Sequence, residues 1–160
     1  MIYLDLDGVF ADFFATMTSL GLDYHADPKA SWGVVDKIPN FFAKLPPMEG
    51  AVDLFNHIKV LANKSGHPLT FLTALPMLTG ELHTAAADKT YWVANKLHTS
   101  TRVICVNSWA EKSNYVSGTK DILIDDSARN IIDWCGYGGV GIVHYSQPNT
   151  IKTLELILAA

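Results

Sequence analysis

The chain has 160 residues, of which 49% are hydrophobic and 18% charged, and carries a formal net charge of −4. This suits one folded globular domain with room for a core and a small appendage, and excludes a disordered chain. The acidic balance offers no basic stripe for duplex nucleic acid, and no apolar run approaches the ~20 residues of a membrane span. Two cysteines, Cys105 and Cys135, are too few for a disulfide framework. A cytoplasmic setting is expected, with no signal peptide ahead of the first strand.

In chain order, the first predicted strand is the apolar run 2–6, which contains Asp5 and leads directly to Asp7 and Gly8. Residues 13–22 have helical character, with Asp12 placed as an N-cap, and 41–45 form a further short helix ahead of Pro46 and Pro47. Helical periodicity returns over 50–63, followed by a second strand over 69–73. A helix over 89–97, a strand over 102–106 and a helix over 110–116 come next. The remaining elements are a strand over 121–125, a helix over 127–134, a strand over 140–144 and a last helix over 150–158 capped by Asn149. Apolar strands alternating with amphipathic helices predict an α/β fold, a doubly wound parallel sheet covered on both faces. The first crossover is far longer than the dozen or so residues such a connection needs. Residues 13–48 are therefore read as a small helical cap insertion, and residues 1–12 with 49–160 as the core of one domain.

In open α/β sheets ligands bind beyond the carboxyl ends of the strands. There the sequence places Asp5 and Asp7 after the first strand, Thr73 after the second, and Asp125, Asp126 and Ser127 after the fourth. Two carboxylates at the end of a buried strand need a partner, because an isolated ion costs far too much in a low-dielectric interior. A hard cation such as Mg²⁺, which takes oxygen ligands, is the natural one. Asp5 and the pair Asp125 and Asp126 can supply carboxylates. Asp5 can also attack phosphorus, and Asp7 can move protons. The hydroxyl of Thr73 and the N–H of Ala74 can hold a phosphate oxygen. Of two lysines weighed for the remaining cation, Lys120 precedes the fourth strand and lies at the wrong end, ~17 Å from Asp125 at about 3.3 Å per residue. Lys112 follows the third strand on the correct edge and is selected.

Residues 5–9 (Asp-Leu-Asp-Gly-Val), the strand ending in Thr73, Lys112, and residues 123–127 (Leu-Ile-Asp-Asp-Ser) resemble the four motifs of the haloacid dehalogenase superfamily. Its phosphatases carry the second aspartate of the first motif, here Asp7, and its true dehalogenases lack it. The longer string 5–13 is similar to the 5′(3′)-deoxyribonucleotidases, as are residues 40–42, 47–52 and 89–93, in order along most of the chain. The resemblance implies a Rossmann-like core and a Mg²⁺-dependent phosphatase. In it Asp5 is the nucleophile, and Asp7 is the acid/base and a metal ligand through its backbone carbonyl. Thr73 and Lys112 bind phosphate, and Asp126 with Asp125 completes the metal shell. Phe13, Trp32, Phe41 and Phe42 contact or shelter the substrate. The family usually has Ser then Pro after its motif threonine, whereas Ala74, Leu75 and Pro76 follow Thr73 here.

The expected ligand is a small phosphate ester, a deoxyribonucleotide by the resemblance, with neither duplex nucleic acid nor membrane as partner. The sequence leaves a homodimer open. Rival readings are a phosphatase for another small ester or for a polynucleotide 3′-phosphate, and a catalytically silent nucleotide-binding protein. Trp92, Trp109 and Trp134 read as packing residues, and the six scattered histidines show no metal spacing.

Overall fold

In the computed structural model, which describes residues 1–160, five parallel strands form one sheet in the order β3-β2-β1-β4-β5. The strands are β1 (Ile2–Leu4), β2 (Leu69–Ala74), β3 (Val103–Val106), β4 (Ile122–Asp125) and β5 (Val140–Val143). The helices are α1 (Phe13–Ser19), α2 (Pro28–Val35), α3 (Ala51–Ser65), α4 (Ala85–Lys96), α5 (Ala128–Gly136) and α6 (Gln147–Ala159). Short 3₁₀ helices occupy Phe42–Lys44, Gly80–Thr84 and Trp109–Tyr115. This is the predicted doubly wound α/β fold. No helix is long and apolar enough to cross a membrane.

Side-chain alternation along the strands sends residues to both faces of the sheet. Ile2, Leu4, Ile122 and Ile124 join the larger apolar cluster of 27 buried residues. Tyr3 and Leu123, between them in sequence, join a smaller cluster with Ile131 and Trp134 of α5 on the other face. With both faces covered, the strands carry almost no polar side chains until their carboxyl ends.

The insertion between β1 and α3 is pinched shut at its base. Asp12 N–H donates to the Pro46 carbonyl at 2.8 Å, and Met48 N–H donates to Phe10 at 2.7 Å. Asp12 caps α1, its side chain accepting from Ala15 N–H, as the sequence indicates. The insertion has no separate core: Phe13, Met17, Val35, Phe41, Phe42 and Leu45 belong to the same cluster as the sheet residues. Several bonds tie it to the core, among them Asn40 Nδ2 donating to Asp88 Oδ1 of α4 at 3.1 Å and Glu81 N–H donating to the Asp36 carbonyl at 2.7 Å; a third comes from α4 as well. The indole N–H of Trp92, fully buried in α4, donates to the Leu45 carbonyl at 2.7 Å.

Several elements differ from expectation: α2 has no predicted counterpart, α4 begins four residues early at Ala85, residues 109–115 form a 3₁₀ rather than an α-helix, and two further boundaries shift. Strand β1 pairs only to Leu4, although Asp5 N–H still donates to the Ile124 carbonyl at 2.9 Å, so the chain leaves the ladder at the aspartate. The last helix is capped by Ser146, not Asn149; the Ser146 side chain accepts from Asn149 N–H, and Pro148 sits in the first turn. Proline is favoured there because its missing N–H would have no helical acceptor.

Replacing Trp92 with Phe removes the indole donor and leaves the Leu45 carbonyl buried without it. Trp92→Phe is expected to lower unfolding free energy by about 2–4 kcal/mol in urea titration. A loss below about 0.5 kcal/mol would show that this bond does not hold the insertion down.

Candidate active site

The sheet order reverses between β1 and β4: the chain winds from β1 outward to β3, then returns to β4 on the other side. Such a switch point opens a crevice at the strand ends. Asp5 leaves β1 on one side of it, and Asp125 and Asp126 leave β4 on the other. Carboxylate oxygens of Asp5, Asp125 and Asp126 lie within 4.8 Å of one another.

Between them stands Lys112, 2% exposed. Its ammonium is 2.8 Å from Asp5 Oδ1 and 2.7 Å from Asp125 Oδ2. The 3₁₀ helix Trp109–Tyr115 delivers it from the end of β3 across to β4. Asp125, fully buried, spends both oxygens on the protein: Oδ1 accepts from Ser127 N–H at 2.8 Å and Asn130 Nδ2 at 3.1 Å, and Oδ2 accepts from Lys112 and Asn130. It therefore anchors Lys112, while Asp126 remains directed into a cavity that it lines.

Asp7 occupies a different setting. Its Oδ2 accepts from Lys89 Nζ at 2.5 Å, and its Oδ1 is buried with no protein partner. Lys89 also donates to Thr73 Oγ1 at 2.9 Å and to the Ala74 carbonyl at 3.0 Å, and its ammonium lies 4.5 Å from the centre of the Phe42 ring. Lys89 is completely buried in the middle of α4. Sequence reasoning weighed only Lys112 and Lys120 and missed it. The signal was available: Ala85, Lys89, Trp92 and Val93 fall on one helical face, so the lysine sits in the apolar stripe of its helix.

Gly8 follows with φ +80°, and a Cβ there would lie 2.1 Å from Asp126 Oδ2. Both the backbone angle and the approach of the carboxylate require glycine.

The cluster carries an excess of negative charge. Asp5, Asp7, Asp125 and Asp126 face only two ammonium groups, Lys89 and Lys112, leaving two negative charges in excess. Burial, then repulsion from Asp125, raises the Asp5 carboxyl to about 7. The same two causes raise Asp126 to about 6. Burial alone would lower the Lys112 pKa, but Asp5 and Asp125 outweigh it and raise it. A cluster of hard oxygen donors with two surplus negative charges fits a divalent Mg²⁺ in both charge and ligand type. Asp5 and Asp126 are the carboxylates free to hold it.

The carboxylates open onto a cavity of about 360 Å³. Asp5, Asp7 and Asp126 line it on the core side, and Phe13, Trp32 and Phe42 on the side of the insertion. Phe13 and Phe42 stack with planes 8° apart, and Trp32 lies 5.7 Å from Phe13. Phe14 and Tyr24 extend this wall. Phe41 is a correction: it is buried and does not line the cavity. Adjacent residues entering a tight helix diverge, so Phe42 turns toward the site and Phe41 packs behind it, with ring centres 5.3 Å apart. Trp109 is a second correction, standing at the cavity wall and 39% exposed, whereas Trp92 and Trp134 are buried packing residues. Thr73 is buried beneath the cavity as a partner of Lys89, and Ala74 lines it.

No family model matches the chain, and no curated protein matches it. Among solved structures it is similar to the crystal structure of a hydrolase from Streptococcus pneumoniae TIGR4. The likeness has a TM-score of 0.50 and 16% identity, over 96% of this chain and 97% of that one. At that identity the likeness establishes a shared fold along nearly the whole length of both chains.

A raised carboxyl pKa makes the protonated form the favoured one in the folded state. Without divalent metal, Asp5 and Asp126 should therefore cost stability progressively as pH rises from about 4 towards 7. Mg²⁺ is expected to raise the melting temperature more at pH 7.5 than at pH 5. Equal shifts at the two pH values, or none, would contradict a cation site built on these two carboxylates.

Proposed function

We propose that the protein is a Mg²⁺-dependent phosphomonoesterase hydrolysing deoxyribonucleoside 5′(3′)-monophosphates through an aspartyl-phosphate on Asp5. The observation that carries this reading is that Asp5 and Asp7 line one cavity but are held by different lysines. Two carboxylates in distinct environments can divide nucleophile and proton-transfer roles between them. The aromatic wall opposite suits a flat base, and the fold shared with a hydrolase agrees with the reading.

In the first step an Asp5 carboxylate oxygen attacks phosphorus, and the P–O bond to the nucleoside breaks. Asp7, ion-paired with Lys89 before substrate binds, takes up the proton of the monoanionic ester and passes it to the departing oxygen. In the second step Asp7, now ionised, takes a proton from water, whose oxygen attacks phosphorus and frees Asp5 and inorganic phosphate. Lys89 holds Asp7 through one oxygen and leaves the other, Oδ1, available for the proton. Lys112 fixes Asp5 and offsets charge on the transferring group. Thr73 and Ala74 position Lys89, and Ala74 contributes to the wall that faces the phosphate. Asp5, Asp126 and the backbone carbonyl of Asp7 would hold Mg²⁺, which when bound supplies neutralisation of phosphate oxygen charge. Phe13, Trp32 and Phe42 shelter the nucleoside.

Asp5→Asn should lower Mg²⁺-dependent phosphate release from deoxyribonucleotides by roughly three orders of magnitude or more, with the fold intact by circular dichroism. Lys112→Ala should lower it roughly 100-fold, and Lys120→Ala should leave it at the wild-type level. Retained turnover in Asp5→Asn would remove the nucleophile assignment. Equal effects of the two lysine variants would remove Lys112 from the site.

A further inference from the structure

Arg129 lies outside the buried charge cluster but next to its mouth. It sits in the first turn of α5, three residues after Asp126, and is exposed. Its guanidinium carbon is 3.9 Å from the centre of the Trp109 ring. Trp109 in turn lines the aromatic cavity beside Asn107 and Ser108. The contact holds the guanidinium over the ring, and none of its N–H donors is used within the protein. None of the ion pairs in the structure uses Arg129. Only two of the twelve basic residues are arginines, so a solubilising role would more readily have fallen to lysine, as it does at most exposed positions.

Arg129 pairs with none of the carboxylates, Asp126 included, and its side chain donates no hydrogen bond within the protein. Lys89 and Lys112 are committed to Asp7, Asp5 and Asp125. Its free donors at the mouth of the cavity suit an anionic group brought by the ligand. A nucleoside bears its phosphate-accepting oxygens on one small sugar. With the base on the aromatic wall and one phosphate at Asp5, a phosphate on the other oxygen has to emerge at the mouth of the cavity.

We propose that Arg129, braced by Trp109, is a specificity-determining contact for a second phosphate on the substrate. The site then prefers a nucleotide that carries another phosphate beyond the one removed, whether as a free nucleoside bisphosphate or as the terminal residue of an oligonucleotide. This inference rests on the phosphomonoesterase reading above. It gives the planar, bidentate guanidinium the phosphate geometry it fits best.

The test compares kcat/KM, with Mg²⁺ present, for a deoxynucleoside 5′-monophosphate, the matching 3′,5′-bisphosphate, and a short single-stranded oligodeoxynucleotide with a terminal phosphate. The wild-type protein is expected to favour at least one substrate bearing a second phosphate over the monophosphate by about tenfold. Arg129→Gln should bring that ratio close to one, and raised salt should weaken the ratio in the wild type alone. Preference for the bisphosphate alone identifies the free nucleotide as the source, and preference for both identifies the polynucleotide end. A ratio near one in the wild type, or one unchanged by Arg129→Gln, overturns the proposal while monophosphate turnover keeps the underlying reading intact. Failure to hydrolyse any of the three overturns both.

Discussion

Four carboxylates meeting two ammonium groups at the edge of a buried sheet is the constraint on which the rest of this structure depends. Each ion would be prohibitively costly alone in the interior. Lys112 bridges Asp5 and Asp125, and Lys89 takes Asp7, so three of the four carboxylates have an opposite charge within hydrogen-bond distance and Asp126 has none. The balance still falls two charges short, and Asp5 and Asp126 carry the consequence as raised pKa values. Excess charge of this kind suits a divalent cation, for which Asp5 and Asp126 offer hard oxygen donors.

The fold is organised around delivering these groups. The parallel sheet ends its strands together, and the reversal of strand order sets β1 beside β4, so residues more than a hundred apart in sequence become neighbours. Gly8 allows Asp126 to close over the first loop. Ser127 serves twice, as N-cap of α5 and as an N–H donor to Asp125. The insertion shares the main apolar core and is bonded to α4 through Trp92, which makes its aromatic wall a fixed part of the cavity.

Much of this was legible because strand ends in a doubly wound sheet are predictable from apolar runs, and acidic residues there are conspicuous. Asp5, Asp125 and Asp126 were found on that basis, and the structure brings them together. Lys89 was not, since a lysine within a helix ordinarily faces solvent; only its place in the apolar stripe with Trp92 and Val93 gave it away. Phe41 and Phe42 were indistinguishable in sequence, and the direction of a short 3₁₀ turn separates them. Trp109 read as packing because its role depends on Arg129, whose proximity is a property of tertiary structure alone.

The claim that Asp5 attacks phosphorus is the centre of the account, and mass spectrometry of the rapidly acid-quenched protein tests it most directly. Mixed with Mg²⁺ and a hydrolysable deoxyribonucleotide, the wild-type protein should carry one added phosphoryl group on the peptide containing Asp5, and Asp5→Asn should carry none. Phosphate released at the wild-type rate with no phosphorylated peptide, or by Asp5→Asn, would mean that water attacks the ester directly and that Asp5 has another role.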